Sequence, residues 1–339
     1  MVTADTSRPT IVDVAREAGV SKSLVSLALR GDPGVSDATR ARITDVAVAL
    51  GYRSNRLARS LVQGRTALFG AVTTDLGNPY YTEILSGVEI AAETAGFDLL
   101  IGQGRRDSAL LGARVGDMVG LGVDGIIVVS SRVDPAALAA AASRLPVVVV
   151  GKMPRSVSGV DTVTSDDRSG AFAATTHLLD LGHRAIAFAS ASTRPAALGR
   201  RAGYTAAMEG REGARQPLVV GASDLIELER RVREVLSTPE ARPTAVVASN
   251  DLAAIAILDA AIDLGLDVPG ELSIVGYDNT ALASLVRPRL TSVDQPSDAI
   301  GRLCVEMIVE RLDGRSSDRH EVLEPRLVVR ASSGHAIAN

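Results

Sequence analysis

From Ala67 onward the chain alternates short apolar runs, bounded by Gly, Asp and Pro, with longer amphipathic stretches, and this alternation restricts the fold more than any other feature. Runs at 67–72, 98–101, 125–129, 147–150, 162–163, 185–189, 218–220, 245–248, 273–276 and 290–293 read as strands. Helical patterns lie between them at 83–95, 110–120, 135–143, 170–181, 200–209, 225–236 and 251–264, with a last one at 297–312. Strands that are β-branched on both faces call for parallel sheets covered by helices, so the class is α/β. Ten or so strands would make an unusually large single sheet, so two doubly wound lobes are expected, divided near Val163 and again near Val293. The first lobe then spans about 66–163 plus 294–323, and the second about 164–293 plus 324–330. A small ligand belongs between them, at the carboxyl ends of the strands.

Composition agrees with this plan. Hydrophobic residues make up 46% of the chain but aromatics only 3%, with no Trp, so the cores must be built from Ala, Val, Leu and Ile. No apolar stretch approaches the ~20 residues of a membrane helix. The polar start Met1-Val2-Thr3-Ala4-Asp5 has no basic segment leading into an apolar one. A cytoplasmic protein without a membrane partner is the expectation. Cys304, the only cysteine, allows no intrachain disulfide and suits a reducing compartment.

Before residue 65 the pattern is different. Thr10 can cap a helix whose apolar residues Ile11, Val14, Ala15 and Ala18 share one face. Gly19 permits a left-handed turn, Val20 packs inward, and Ser21 caps a second helix over 22–29. A third helix, 37–50, carries Ile43, Val46, Ala47 and Leu50 as its stripe. Residues 8–53 therefore read as a helix-turn-helix head, whose second helix exposes Lys22 and Ser23 to the major groove with Leu27 one turn on, and a surface helical hairpin with no ligand is the other reading. Residues 1–65 carry 10 Lys and Arg against 6 Asp and Glu, a charge of +4 on a chain of net −4. A basic head on an acidic body is the asymmetry expected where only the head meets phosphate. The segment 54–65 is a basic linker in which Leu57, Ala58 and Leu61 share one helical face, flanked by Arg56 and Arg59. Apolar wedges beside arginines suit minor-groove binding, and an ordinary interdomain linker is the other reading.

The ordered pattern Thr10-Ile11-x-Asp13-Val14-Ala15-x-x-Ala18-Gly19-Val20-Ser21-x-x-x-Val25-Ser26, followed by Leu50-Gly51-Tyr52 and Asn55-x-x-Ala58-Arg59-x-Leu61, closely resembles the lactose-repressor and galactose-repressor family. The resemblance runs on through Asn78-Pro79-Tyr80-Tyr81, Arg200-x-Ala202-Gly203-Tyr204, Ala248-Ser249-Asn250-Asp251, Val275-Gly276-Tyr277-Asp278 and Gln295-Pro296. It implies a sequence-specific transcriptional repressor and no enzyme. The implied DNA contacts are Thr10, Ser21, Lys22, Ser23, Ser26 and Leu27 on the head, with Asn55, Ala58, Arg59 and Leu61 on the linker. Leu61 is implied to pry open the centre of a pseudo-palindromic operator on double-stranded DNA. The family commonly has Arg where this chain has Leu27, and an apolar side chain there favours a thymine methyl over guanine.

In the body the resemblance implies effector contacts from Arg200, Asn250 and Asp278, with Gln295, Tyr80 and Asp75 as lesser candidates, and a bidentate Asp, Asn and Arg set suits vicinal hydroxyls. Plainer roles stay open: Asn250 as a helix cap, Asp278 as a turn residue, Arg200 paired with a carboxylate, and Tyr80 as core. A carbohydrate effector is expected and a purine or nucleoside stays open. No cofactor or metal is called for. A dehydrogenase would need G-x-G-x-x-G after a first strand, and Gly102-Gln103-Gly104 lacks the third glycine. An exported sugar-binding protein would fit residues 67–339 but not the basic head. With no heptad tail after Pro325, a homodimer is expected rather than a coiled-coil tetramer.

Overall fold

The structure, a computed structural model, describes residues 9–52 and 65–337 apart from 217 and 241. It divides into two units, one through Thr66 and one from Ala67 on. The linker residues Asn55, Ala58, Arg59 and Leu61 lie outside the described residues.

In the head, helices α1 (Ile11–Glu17), α2 (Lys22–Arg30) and α3 (Asp37–Ala49) form as the caps require. The Asp13 carboxylate accepts from both the Thr10 N–H (2.9 Å) and the Thr10 hydroxyl (2.7 Å), which fixes the first turn. Gly19, at φ +64°, turns the chain where a side chain would be strained. Ser21 Oγ then accepts from the Leu24 N–H at 3.2 Å and starts α2. Val14, Ala15, Ala18, Val25, Ala28, Ile43 and Ala47 make a miniature core. Arg40 donates to the carbonyls of Ala28 and Asp32, both at 2.7 Å, closing the last turn of α2 against α3. Leu27 stays outside that core and is half-buried.

The body holds two six-stranded sheets, as the alternation requires. The first contains β1 (Leu68–Thr73), β2 (Asp98–Gln103), β3 (Gly125–Val129), β4 (Val147–Val150), β5 (Val160–Ser165) and β11 (His320–Leu323). Its order is β11-β5-β4-β3-β1-β2, parallel throughout. The second contains β6 (Ile186–Ser190), β7 (Leu218–Gly221), β8 (Ala245–Ala248), β9 (Ser273–Asp278), β10 (Thr291–Asp294) and β12 (Arg326–Val328). Its order is β12-β10-β9-β8-β6-β7, with only β12 antiparallel. The chain thus passes between sheets after β5, after β10 and between β11 and β12.

Helices α4 (Pro79–Thr94), α5 (Ser108–Gly120) and α6 (Pro135–Ala142) cover the first sheet together with α12 (Ser297–Leu312). The second is flanked by α7 (Asp167–Asp180), α8 (Pro195–Met208), α9 (Leu225–Leu236) and α10 (Asp251–Asp263), while the short α11 (Ala281–Leu285) follows β9. Several helices begin earlier than their apolar stripes suggest. Asn78 caps α4 with Pro79 next, Asp107 caps α5, Asp166 caps α7, and Pro195 opens α8. The tail continues past 330 on the second sheet, where the Ile274 N–H donates to the Ser332 carbonyl at 2.7 Å and the Ala336 N–H to Leu181 at 2.9 Å. Among the described residues no helix is long and apolar enough to cross a membrane.

Candidate effector cleft and DNA-reading head

Loops at the carboxyl ends of strands from both sheets converge on one cleft of about 390 Å³, within the usual range of small-molecule sites. Asp75, Tyr80, Arg200, Asn250, Asp278 and Gln295 all line it. The reason is topological: Asp75 follows β1, Asn250 follows β8, Asp278 ends β9 and Gln295 follows β10.

At its floor runs a chain of polar contacts. The Tyr80 hydroxyl donates to Gln295 Oε1 (3.1 Å), and Gln295 Nε2 donates to Asp278 Oδ1 (2.6 Å). Arg200 donates from Nη1 to the same oxygen (3.3 Å) and to the Ser249 carbonyl, and from Nε to Asp167 Oδ1 (2.8 Å). Its guanidinium carbon also sits 3.7 Å from the centre of the Tyr277 ring. Burial works against the Arg200 charge, yet Asp167 and Asp278 hold the proton and raise its pKa overall. Burial pushes the Asp278 carboxyl up to about 8, with Arg200 opposing and Asp251 adding to the rise. Asp278 has φ +101° and Asn279 φ +52°, a backbone that side chains rarely adopt. The turn is over-determined by Asn279, which donates to Ser292 and Asp294 and accepts from Arg330. Buried Asp251 accepts from Thr280 and Ser292 beneath it.

Asn250 caps α10, its Oδ1 accepting from the Ala253 N–H (2.8 Å), and it also lines the cleft. Among the described residues its Nδ2 has no partner. Asp278 Oδ2 likewise takes no hydrogen bond from described residues, so the floor keeps an amide N–H and a carboxyl oxygen for a ligand. Asp75 is more committed, accepting from the Gly77 N–H (2.9 Å) and pairing with Arg106 (2.7 Å). Arg106, Arg132, Lys152 and Arg194 also line the cleft and were not singled out in the sequence. Each follows the end of a strand, namely β2, β3, β4 and β6.

On the head, Thr10, Ser21, Lys22 and Ser23 are exposed and Ser26 is half-buried, so the start of α2 is presented to solvent. A short second helix of this kind, on a three-helix head followed by a two-lobed body with a ligand cleft, defines the class of ligand-responsive DNA-binding transcription regulators.

Comparison with known proteins narrows the class. Residues 10–55 match the model of bacterial regulatory proteins of the lacI family, and residues 175–333 match the periplasmic binding protein-like domain. Catabolite control protein A of Priestia megaterium is 32% identical over 323 residues, covering 94% of this chain and 97% of its own. The ribose operon repressor of Escherichia coli (strain K12) is 32% identical over 332 residues, covering 96% and 99%. The structure of a transcriptional regulator, CelR, in complex with cellobiose is 30% identical, with a TM-score of 0.70 over 96% of this chain and all of that one. The lac repressor dimer bound to operator and an anti-inducer shares the fold at a TM-score of 0.82. The chain belongs to the lacI family of bacterial regulatory proteins: it is a DNA-binding transcriptional repressor under small-molecule control.

Proposed function

We propose that the protein acts in the cytoplasm as a homodimer on a two-fold symmetric operator, and that a sugar-like effector in the cleft sets its affinity for that site. The observation that carries the effector reading is the Arg200–Asp278–Asn250 floor, which is fixed in geometry yet retains a free amide N–H and a free carboxyl oxygen. Free carboxyl and amide atoms lining one cleft can hydrogen-bond the hydroxyls of a sugar. Relatives include both the ribose operon repressor and the HTH-type transcriptional repressor PurR of Pectobacterium carotovorum, 29% identical over 328 residues. The hydroxyl- and charge-rich lining, with Tyr80 and Tyr81 as its aromatic rings, favours a sugar over a purine base.

On the DNA side, Thr10, Ser21, Lys22, Ser23, Ser26 and Leu27 are assigned to the major groove. Asn55, Ala58, Arg59 and Leu61 are assigned to the minor groove at the dyad. The partner copy is assigned to the outer face of α4 and α12, where an apolar groove runs past Ala91, Val305 and Val309 and Ile90 is 65% exposed. Effector binding between the lobes then changes how the two linkers meet. The test is selection of binding sites from a random DNA pool, followed by titration. A two-fold symmetric site is expected, with Lys22→Ala weakening it ~5- to 150-fold, the range of one good base contact. Leu61→Ala is expected to reduce both affinity and DNA bending. Failure to select any symmetric site would sink the dimeric reading.

A further inference from the structure

The charges of the cleft do not balance. It is lined by Arg106, Arg132, Lys152, Arg194 and Arg200 against Asp75, Asp167, Asp224 and Asp278. The carboxylates are already engaged: Asp75 with Arg106, Asp167 and Asp278 with Arg200, and Asp224 as the cap of α9. Arg132, Lys152 and Arg194 are left without a carboxylate among the described residues, and the two arginines of the three are fixed by hydrogen bonds.

These two arginines approach from opposite lobes. Arg132 follows β3, and its backbone is pinned by Ser130 Oγ on its N–H (3.0 Å) and by Ser108 donating to its carbonyl (2.6 Å). Among the described residues its guanidinium makes one hydrogen bond, to the Arg106 carbonyl (2.7 Å). Arg194 follows β6, with its N–H on Ser192 Oγ (3.2 Å) and its Nη1 donating to the Tyr81 hydroxyl (3.2 Å). Among the described residues Arg194 Nε is buried with no hydrogen-bond partner. An orphaned charged donor of this kind is unfavourable unless something else supplies the acceptor. Partial loss of water and then the charge of Arg194 lower the proton affinity of Arg132, as expected of like charges facing one another.

We propose that the effector carries an anionic group, a phosphate or a carboxylate, seated between Arg132 and Arg194 and bridging the two lobes. This rests on the cleft being the effector site and adds the chemistry of one end of the ligand. The Arg200–Asp278–Asn250 floor takes the hydroxyls, while the arginine pair takes the charge and holds the lobes together across a gap they otherwise repel. A bridging anion also converts recognition into closure, because it is fully bound only when both lobes reach it.

Binding to the full-length protein is measured by thermal shift and then calorimetry. The panel pairs neutral sugars with their phosphates and acids: glucose, glucose 6-phosphate and glucuronate; ribose and ribose 5-phosphate; and adenosine with its monophosphate. Each probe is used at about 10 mM, saturating for Kd values up to roughly 0.1 mM. A phosphate or an acid is expected to bind at least ~10-fold more tightly than its neutral parent, with Arg132→Gln and Arg194→Gln each removing at least ~10-fold. Comparing 6-phosphate with uronate tells the two anions apart. Asp278→Asn tests the cleft separately. A neutral sugar whose binding is lost in Asp278→Asn but unchanged in both arginine variants overturns the anion and keeps the cleft. A hit indifferent to all three variants overturns both. The absence of a shift from every anionic probe overturns the anion proposal.

Discussion

At Asp278 the backbone, the charge set and the ligand floor meet in one residue. Its carboxyl is pushed up to about 8, far above the ~3.9 of an unfolded chain. The folded protein therefore holds this proton more tightly than the unfolded one. The associated stability is fully present below about pH 4 and is lost as pH rises from there through about 8. Asp278→Asn removes the ionisation, so its melting temperature relative to the wild type should climb between pH 5 and 8.5. Parallel pH profiles would show that the carboxyl is not lifted. Much of this floor was legible: Arg200, Asn250 and Asp278 stand in motifs that survive as residue strings. The arginines at 106, 132 and 194 were not, although each is a basic residue just past an apolar run. Which loops face one another depends on strand order, and strand order is not written in any local pattern.

Among the elements, the packing of α4 on α12 depends on two glycines, Gly87 on α4 and Gly301 on α12. A Cβ on Gly301 would lie 2.5 Å from the Val88 nitrogen and 2.8 Å from the Ile84 carbonyl oxygen, both backbone atoms that cannot move aside. Gly301→Ala should therefore push the helices apart and cost about 1–3 kcal/mol in urea denaturation. The far end of α12 is tied by Asp161 on β5, fully buried, which accepts from Arg311 and Arg315 at 2.6–2.8 Å and from the Arg319 N–H. Burial opposes its charge, but these donors prevail and bring it down to about 2. Its stabilisation is present above pH ~4 and fades as pH falls towards 2. Asp161→Asn should lower stability by about 3–5 kcal/mol at neutral pH, since three donors lose a buried partner. The ten expected strands were legible from apolar runs of two to six residues. β11 and β12 were not, being short edge strands in which Val322 is 66% exposed. The helix starts were read late because periodicity begins with the first buried residue, whereas the helix begins at the cap before it.

For the whole molecule, repression is a question of populations. To move operator occupancy from 99:1 to 1:99 the effector must prefer one state ~10⁴-fold. A ligand that touches both lobes can express such a preference, because its contacts exist together only in the closed form. Dimerisation is tested by Ile90→Glu, which places a charge on the exposed apolar face of α4. Sedimentation should show dimer dissociation at least ~30-fold easier, with operator affinity falling in step. A variant that remains dimeric would move the interface elsewhere.

The threefold passage of the chain between the sheets also dictates a schedule of synthesis. β1 to β5 leave the ribosome first, but the helix that seals their core, with Ile300, Cys304, Met307 and Ile308, is made after nearly all of the second sheet. β11, the edge strand of the first sheet, comes later still, and the tail that pins Ile274 and His183 comes last. At ~5–20 residues per second, the DNA-reading head is complete for on the order of ten seconds or more before either lobe can close around a ligand. The newborn chain is therefore able to fold its reader well before it has a sensor to govern it.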